Sequence, residues 1–514
     1  MKKTKKRIKT PTYILTLKLK TNAYEEAILN KRFEIGRKLY NAVLGLALKR
    51  YNSLAERKEY RKLKKTIIET NKKIKNTKDK NKIKELKIEQ NKLYKEIKTL
   101  YKEFNLTEYG LINTMTPLYK PFNKNIDNKT AQAIASRAWK AIDKLINGNG
   151  KKVYFKKYNE LNSLEGKWNK SGMKYDGQGN VKWNKLKIPI IIKNTDIYAQ
   201  KAIKDRVKYI RIIRKTIRGK NKYYVQIILE GIPPNKNRNQ NKKEIEIGAV
   251  GIDIGTQTIA IVSNKEVKLL ELAPEVNVIY KKEKILQRKL DRQRRSNNPN
   301  NYNGDGTIKR GIKLNWKKSN KYKKTQNKLK EIKRKQKVLR KQSHEKLANY
   351  IITLGDTIKV EKMNYKGLQR RSKKTTINKK TGKYNKKKRY GKSLANKAPA
   401  MILSIIERKL KYNNQELIKI NTREVKASQY NHIENKNQKK SLSERWNIIG
   451  NNKIQRDLYS AYIIKNVNIE DRKTINREKM IEEFENFNKL HKKEIKRLEN
   501  LKKRKHKLIS SFGI

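Results

Sequence analysis

The sequence predicts a bilobed, multidomain protein of mixed α/β class that carries a separate helical lobe. Its 514 residues are enough for several domains. Residues 23–101 follow a helical period, whereas short apolar runs typical of strands occur at 12–20 and again after residue 186. The stretch Pro233–Gln240, rich in proline and asparagine, separates the two halves.

The first half is predicted to be a helical lobe that interrupts a strand-rich domain. Residues 12–20 alternate like a strand, and an apolar face at helical spacing follows at Ile35, Leu39, Val43 and Leu46. Residues 60–104 are rich in Lys and Glu, which is typical of a long helical hairpin with solvated faces. Such a hairpin serves equally as a spacer or as a lobe that grips nucleic acid. A shorter amphipathic helix is predicted at Asn128–Ile146.

Residues 151–235 are predicted to form a small β-barrel-like domain that pairs with the strand at 12–20. Strands are expected at Lys187–Ile192, Tyr209–Ile213 and Lys222–Leu229. At its start, aromatic side chains alternate with lysines, a mixture that can stack on bases and contact phosphates. The candidate nucleic-acid contacts here are Tyr154, Phe155, Lys156, Lys157 and Tyr158, and Arg456 in the second half of the chain is a further one. Aromatic residues in such a pattern are more often core residues, so both interpretations stay open.

The second half is predicted to be α/β. The segment Arg370–Lys392 is mostly Lys, Arg, Thr, Asn and Gly, and we expect it to become ordered only against a polyanion. Strands are expected at 247–254, 257–263, 266–271, 357–363 and 417–420. Helices are expected at 275–295, at 395–412, at Lys453–Val467 and in the basic tail 470–514. A further long basic helix is expected to follow the loop Asn297–Gly311 and to end at about Leu354.

The charge of the chain indicates a polyanionic partner. Lys and Arg total 133 against 47 Asp and Glu, a formal net charge of +86. A charge this large repels itself unless a polyanion neutralises it, and extended contact with phosphates is the usual reason for it. An AT-rich genome would explain the preference for Lys over Arg, but not the shortage of acids.

Composition also restricts the chemistry. The chain has no cysteine and only four histidines without ligand spacing, which excludes a Cys/His zinc site, disulfides and thiol chemistry. A catalytic metal would need oxygen ligands, which favours Mg²⁺ or Mn²⁺. No apolar run reaches membrane-spanning length, and the basic first residues lead into a strand-like pattern, not a signal peptide. We therefore expect a cytoplasmic, nucleoid-associated prokaryotic protein without a membrane partner.

Three acidic residues stand out because each lies in an otherwise apolar element: Asp253, Glu361 and Asp457. A buried carboxylate is costly unless it binds a metal or is paired. Three carboxylates at one edge of a sheet can hold two cations about 3.5–4 Å apart and support phosphodiester hydrolysis. For Asp253, the alternative is a cap on a turn at the end of a strand.

Three motifs around these acids carry a family resemblance. Ala249–Val262 resembles the first RuvC motif of TnpB-type transposon nucleases and compact type V CRISPR effectors. Ile358–Leu368 is similar to their second motif, and Gln455–Asn466, in which Arg456 precedes Asp457, is similar to the third. Lys151–Tyr158 also resembles their wedge-domain stretch. The motifs occur in the family's order, and the resemblance extends from about residue 130 to residue 467.

The resemblance implies a fold made of an RNase H-like (RuvC) nuclease domain, a β-barrel wedge domain and an α-helical recognition lobe. It implies a Mg²⁺-dependent, RNA-guided DNA endonuclease that recognises a short adjacent motif and works as a monomer or homodimer. Asp253, Glu361 and Asp457 would hold Mg²⁺ or Mn²⁺, and the partners would be a structured guide RNA and double- and single-stranded DNA. The expected bounds are 1–22 and 148–240 for the wedge domain, 23–147 for the lobe, 241–421 and 452–470 for the nuclease domain, 422–451 for a target-loading insertion and 471–514 for a basic tail.

One departure concerns the insertion. Many relatives carry a four-cysteine zinc ribbon there, whereas this chain has no cysteine. We expect Tyr430, Leu442 and Trp446 to form a small apolar core in place of zinc.

Three other interpretations were weighed. The GIDIGT segment also resembles the first phosphate loop of sugar kinases and actin-like ATPases, but the second such loop would have to be Asp305-Gly306-Thr307, which no strand precedes. A guide-directed DNA-binding repressor would keep the fold without cleavage, although such relatives usually lose an acid. An RNA-binding or RNA-processing protein with vestigial acids is the third.

Overall fold

The computed structural model describes residues 10–77, 79–150, 152–234, 245–372, 375–378, 382, 384, 385, 387, 390–441 and 444–514. The chain divides into two compact units, one up to Arg238 and one from Asn239 onward. Several predicted features fall at least partly outside the described residues: the basic start of the chain, Lys151, the linker from residue 235, much of 370–392, and Leu442.

The first unit combines an antiparallel sheet with a group of helices. Its strands are β1 Thr12–Leu19, β2 Ser163–Glu165, β3 Lys174–Tyr175, β4 Asn180–Trp183, β5 Leu186–Ile191, β6 Val207–Ile217 and β7 Lys220–Glu230. Its helices are α1 Ala23–Glu56, α2 Lys58–Asn76, α3 Lys80–Glu103, α4 Glu108–Tyr119, α5 Asn128–Ile146 and α6 Ile197–Ala202.

The predicted pairing of the first strand is confirmed, because β1 lies between β7 and β5 and is antiparallel to both. The strand order is β2-β6-β7-β1-β5-β4-β3, so β2 and β3 are the two edges of this ladder. The hydrogen-bonded ladder of the described residues is therefore an open sheet and not a closed barrel. The predicted helical hairpin is present as α2 and α3, but Leu46 of α1 is exposed and lies off the apolar face assigned to it.

The second unit is built on a mixed sheet. Its strands are β8 Ala249–Ile254, β9 Thr258–Val262, β10 Val267–Glu271, β11 Thr357–Glu361, β12 Ile418–Ile420, β13 Tyr430–Asn431, β14 Lys436–Asn437, β15 Trp446–Ile449 and β16 Asn452–Gln455. Its helices are α7 Val276–Ser296, α8 Asn320–Thr353, α9 Tyr365–Leu368, α10 Gly391–Lys397, α11 Pro399–Tyr412, α12 Thr422–Val425, α13 Arg456–Lys465 and α14 Arg477–Lys503.

The main sheet has the order β10-β9-β8-β11-β12. β8, β9 and β10 form the predicted antiparallel meander, whereas β11 is parallel to β8 and β12 is parallel to β11. β9 and β10 therefore lie on one side of β8, and the chain later returns to the opposite side of β8 as β11. In α/β sheets, ligands bind at the carboxyl ends of strands at such a reversal of strand order.

The sheet is covered by helices on both faces. Val250, Ile252 and Ile254 of β8 point to one apolar cluster, which includes residues of α8 and α11. The residues between them, Gly251 and Asp253, alternate to the opposite face, because successive side chains of a strand point to opposite sides. On that face the apolar cluster includes residues of α13 and α14.

Gly251 sets the distance between the sheet and α13. A Cβ atom at this position would lie 2.0 Å from the carbonyl oxygen of Ala461 and 2.5 Å from the amide nitrogen of Lys465. Both are backbone atoms of α13, so neither can move aside as a flexible side chain would. The glycine allows the helix to lie directly on β8.

Two predicted helix bounds are wrong. The helix predicted at Lys453–Val467 begins only at Arg456, because Asn452–Gln455 pairs with β15 as strand β16. The helix predicted at 395–412 is divided at Ala398, which has φ 45° and is followed by Pro399. In addition, no described helix is both long and apolar enough to cross a membrane.

Replacing Gly251 with alanine is expected to lower the free energy of unfolding by about 3 kcal/mol, because overpacking against backbone atoms cannot be relieved locally. Urea denaturation measures this change, and faster hydrogen exchange in α13 locates it. Gly45→Ala in α1 is the control: its nearest heavy atom would be 3.7 Å from the new Cβ, and alanine is favoured over glycine in a helix by roughly 0.5–1 kcal/mol. Equal effects of the two substitutions would contradict the close contact.

Candidate active site

Two of the predicted acids lie side by side. Ile252 of β8 and Val360 of β11 are partners in the parallel ladder, and Asp253 and Glu361 are the next residues of the two strands. Adjacent strands are about 4.8 Å apart. The two carboxylates therefore leave the sheet at the carboxyl ends of neighbouring strands.

The third acid comes from the helix above them. Asp457 lies in the first turn of α13, the helix that packs directly on β8 at Gly251. Its charge acts on Asp253 strongly enough to raise the pKa of Asp253, as does the charge of Glu361. The fold thus brings all three predicted acids to one end of the sheet.

Burial shifts Asp253 and Glu361 toward their neutral forms, and repulsion between carboxylates adds to the shift of Asp253. Burial is the largest cause that raises the pKa of Asp253 well above its usual value, followed by the charges of Asp457 and Glu361, while Arg456 opposes them. Burial also raises the pKa of Glu361 to about 7. A desolvated carboxylate near other carboxylates favours its protonated form unless a cation compensates it.

Neither Asp253 nor Glu361 has a hydrogen-bond or ion-pair partner among the described residues. The hydroxyl of Tyr365, on the short helix after β11, is also buried without a partner. Burial and the charges of Asp253 and Glu361 raise the pKa of this tyrosine. Buried polar groups are normally satisfied, so the unpartnered Tyr365 hydroxyl beside two partly buried carboxylates indicates a missing ligand or solvent.

Asp457, in contrast, is held by arginines. Its Oδ1 lies 3.5 Å from Nε of Arg456, and its Oδ2 lies 4.0 Å from a terminal guanidinium nitrogen of Arg445. In this arrangement the described residues include no group of three or more His, Cys, Asp or Glu side chains close enough together to hold a metal ion. Binding by all three acids would require the Asp457 carboxylate to turn from these arginines.

The donor set nevertheless fits a hard divalent cation. Mg²⁺ takes oxygen ligands, commonly one or two carboxylates with its remaining positions filled by water or phosphate. Asp253 and Glu361 supply unpaired carboxylate oxygens on adjacent strands, and a cation between them would remove the repulsion that raises the pKa of Asp253. The Tyr365 hydroxyl could donate a hydrogen bond to a ligand at this place.

A buried lysine fixes the far end of α13. The Nζ atom of Lys359 donates hydrogen bonds to the carbonyl oxygens of Lys465 (2.8 Å) and Val467 (2.5 Å). A cation at the C-terminal end of a helix interacts favourably with the helix dipole. Burial lowers the pKa of Lys359 to about 8, with Lys479 and Lys465 adding repulsion. Lys359 lies on the same face of β11 as Glu361, so it fixes the helix that carries Asp457.

The second group of predicted site residues belongs to the first unit and is displayed on its surface. Tyr154, Phe155 and Tyr158 are 70%, 51% and 72% exposed, so the structure does not place them in the core. Their backbone is anchored to α1, because Asn41 bonds both the amide and the carbonyl of Lys156 and Arg37 bonds the same carbonyl. We call residues 154–158, which include the exposed Lys157, the aromatic strip.

The insertion without cysteines is packed by a histidine. His432 is fully buried, and its amide and Nδ1 both bond to the Tyr459 hydroxyl, at 3.2 and 2.7 Å. Its ring also lies against Phe484, with centroids 4.7 Å apart. Tyr430 is partly buried against the same apolar cluster, whereas Trp446 donates a hydrogen bond to the Gly513 carbonyl.

The structure adds residues that sequence reasoning missed. Arg445, Tyr365 and Lys359 all act on the acids or on α13, and only Tyr365 and Lys359 lie within a recognised motif. The sequence signal for Lys359 was a charged residue within an otherwise apolar strand. Asp305-Gly306-Thr307, the segment considered for a second phosphate loop, forms a turn in the connection between α7 and α8, where the Asp305 carboxylate accepts bonds from Thr307.

Comparison with known proteins gives a limited likeness. No family model and no curated protein matches the chain. The cryo-EM structure of a Cas12f1–sgRNA–target DNA complex is similar with a TM-score of 0.38 and 12% identity, over 89% of this chain and 99% of that one. That of a CRISPR-Cas12f ternary complex gives a TM-score of 0.25 and 13% identity, over 88% and 86%. With TM-scores this low, the likeness carries no argument about function, and a proposal has to be based on the site geometry, the charge of the chain and the sequence motifs.

The raised pKa values predict an unusual pH dependence of stability. The folded protein binds protons at Glu361 and Asp253 more tightly than the unfolded chain does. This contribution is complete below the unfolded pKa of Glu361, about 4.5, and is lost as pH rises through about 7. Without divalent cations, the free energy of unfolding should fall between pH 5 and 8 by an amount on the order of 2 kcal/mol.

Glu361→Gln, which mimics the protonated form, should flatten this part of the profile in chelator-containing buffer. The exposed Glu424, replaced with Gln, is the matched control and should keep the wild-type slope. Urea denaturation at several pH values measures both. The same slope in Glu361→Gln as in the wild type would show that the carboxylate is not destabilised by its surroundings.

Proposed function

We propose that this protein is an RNA-guided DNA endonuclease that hydrolyses phosphodiester bonds in one Mg²⁺-dependent site, on an RNase H-like (RuvC) domain within residues 241–470. The observation that carries the proposal is the position of Asp253 and Glu361. They lie unpaired at the carboxyl ends of adjacent parallel strands, under the helix that bears Asp457.

Each acid has a distinct part in the proposal. Asp253 is central, since both other carboxylates act on it, and it would bind the cations together with Glu361. Asp457 would join them by exchanging its arginine contacts for the cation. Divalent cations in such a site supply the charge that activates water and stabilises the leaving 3′-oxygen. Arg445 and Arg456, once released, would be free to bind a phosphate, for which the arginine side chain is well suited.

The nucleic-acid surfaces follow from exposure and charge. The aromatic strip offers π-faces beside lysines, which suits stacking on bases without reading their sequence. In the second unit, the α7–α8 hairpin with its connection, residues 276–353, contains 25 Lys and Arg against 5 Asp and Glu. Asp291 is already paired with Arg294 and Arg295, and the long rows of lysines suit the phosphate backbone of a guide RNA or its heteroduplex with DNA.

The main rival is a guide-directed DNA binder that represses without cutting. Such a protein needs the basic surfaces but has no use for partly buried carboxylates without a cation, which are costly in a folded protein. Among the described residues, no Lys or Arg forms an ion pair with Asp253 or Glu361, although the chain has 133 of them. A catalytic site accounts for that cost, so cleavage is the better proposal.

The test uses the protein purified with its co-expressed RNA, whose sequence gives the guide. A library of DNA targets with Mg²⁺ then reports cleavage and the adjacent motif. Asp253→Asn should lower the cleavage rate by more than about 100-fold while leaving RNA and target binding unchanged, because a neutral amide cannot replace a metal-binding carboxylate. Glu424→Gln is the control in the same unit. Undiminished cleavage by Asp253→Asn would reject the site, and failure to copurify a specific RNA would reject guidance.

The aromatic strip makes a separate prediction. Tyr154→Ala and Tyr158→Ala should each weaken RNA binding by about 1–3 kcal/mol, the usual worth of stacking a base on an aromatic ring. Filter binding at fixed salt measures the affinities. Tyr109→Ala is the matched control, since Tyr109 is 78% exposed on α4 and lies outside the strip. Losses no larger than that of the control would remove the strip from the RNA-binding surface.

A further inference from the structure

The first turn of α13 is held by a side chain that makes two hydrogen bonds at once. Gln455 is completely buried and directly precedes the helix. Its Oε1 accepts a hydrogen bond from the amide of Leu458 (2.9 Å), which caps the helix, and its Nε2 donates one to the carbonyl of Phe512 (3.3 Å). One side chain therefore joins the start of α13 to a segment more than fifty residues away in the sequence.

That distant segment is itself tightly fitted. Phe512 is 3% exposed within the apolar cluster of α13 and α14. The next residue, Gly513, has φ +75°, accepts a hydrogen bond from Nε1 of Trp446 (2.9 Å), and has no room for a Cβ atom, which would lie 2.4 Å from Cβ of Arg445. The backbone of residues 512–513 thus makes hydrogen bonds to both strands of the β15–β16 hairpin, which directly precedes α13 and Asp457.

These contacts converge on one acid. Asp457 is two residues after Gln455, and Arg445, which the Gly513 backbone confines, lies 4.0 Å from the Asp457 carboxylate. The amide of Gln455 also donates to Nε2 of the buried His491 in α14 (3.1 Å). The position of Asp457 relative to the sheet is therefore defined by contacts made outside the sheet.

We infer that residues 510–514 act as a clasp that positions Asp457 for metal binding, with Gln455 as the positioning residue that transmits it. Lys359 is hydrogen-bonded to the C-terminal end of α13, and Gly251 lets the helix lie close to β8. Neither contact fixes the rotation of the first turn of the helix. The clasp does so, because Gln455 must face Phe512 and Leu458 together. Loss of the bond to Phe512 would let the first turn of α13 rotate about the helix axis, which moves the backbone of Asp457 relative to Asp253 and Glu361 while the helix remains folded. The side-chain rotation that takes the Asp457 carboxylate from its arginines to a cation is a separate motion that the clasp leaves free.

The inference rests on the proposed function, and a pair of substitutions separates the clasp from simple capping. Asparagine is a good N-cap residue but is one methylene shorter, so Gln455→Asn keeps the acceptor for the helix and loses the reach to Phe512. Gln455→Met removes both bonds. Ser460→Ala, which removes the partly buried hydrogen bond from Ser460 Oγ to the carbonyl of Arg456 (3.0 Å), is the control for the loss of a hydrogen bond elsewhere on the same helix.

The first readout is Mn²⁺ binding to the full chain, followed by electron paramagnetic resonance, and the second is the Mg²⁺ concentration that gives half-maximal cleavage by the RNA complex. We expect both Gln455 variants to need at least about 10-fold more metal in each assay, the usual effect of displacing a supporting residue of a metal site. RNA binding should be unchanged. Ser460→Ala should bind Mn²⁺ with the same affinity as the wild type.

The outcomes are distinct. Wild-type metal affinity in Gln455→Asn would show that capping alone suffices and would overturn the clasp, as would equal losses in Ser460→Ala. Gly513→Val should reproduce the metal defect from the other side, and wild-type behaviour of that variant would also count against the clasp. If the wild-type chain itself binds no Mn²⁺ at Asp253 and cleaves no target, the proposed function fails and the clasp with it.

Discussion

The contact between β8 and α13 at Gly251 is the constraint on which the rest of the second unit depends. Because the helix backbone lies where a Cβ atom would be, the sheet and the helix are closer than side-chain packing alone permits. This brings Asp457, which comes from a helix, within electrostatic reach of Asp253 on the sheet. Lys359 then satisfies the carbonyls at the end of the same helix. A larger residue at 251 would separate all of these groups together.

The close contact creates an electrostatic cost that the protein's own side chains compensate only in part, through the charge of Arg456. Among the described residues, Asp253 and Glu361 form no ion pair, although the chain has 133 Lys and Arg. A lysine beside them would lower both pKa values, but it would also fill the place that we propose for a divalent cation. Without such a charge, burial raises the pKa of Glu361 to about 7. The arginines at Asp457 are the compensating charges within reach, and both are of the type that binds phosphate well.

Sequence patterns predicted the parts of this fold that depend on local periodicity. Asn128–Ile146 forms a helix with the predicted ends, and the strands that carry Asp253 and Glu361 lie where their apolar runs indicated. The start of α13 was misplaced because Lys453–Gln455 pairs with a neighbouring strand, which overrides its helical pattern. The Arg445–Asp457 contact and the orphan hydroxyl of Tyr365 could not be predicted, since they arise only when distant segments pack together.

The described residues of 422–451, which the sequence predicts to be an insertion in place of a zinc ribbon, are fixed by packing and hydrogen bonds. A zinc site holds a short segment by a few strong bonds to ligands close in sequence. Here the same segment is fixed by contacts with other elements: His432 fills an aromatic site formed by α13 and α14, and Arg477 of α14 donates to the carbonyl of His432 (2.7 Å). Burial lowers the pKa of His432 to about 4, so its ring is neutral at physiological pH. The insertion is therefore tied to the helix that carries Asp457, so a movement of one must change the contacts of the other.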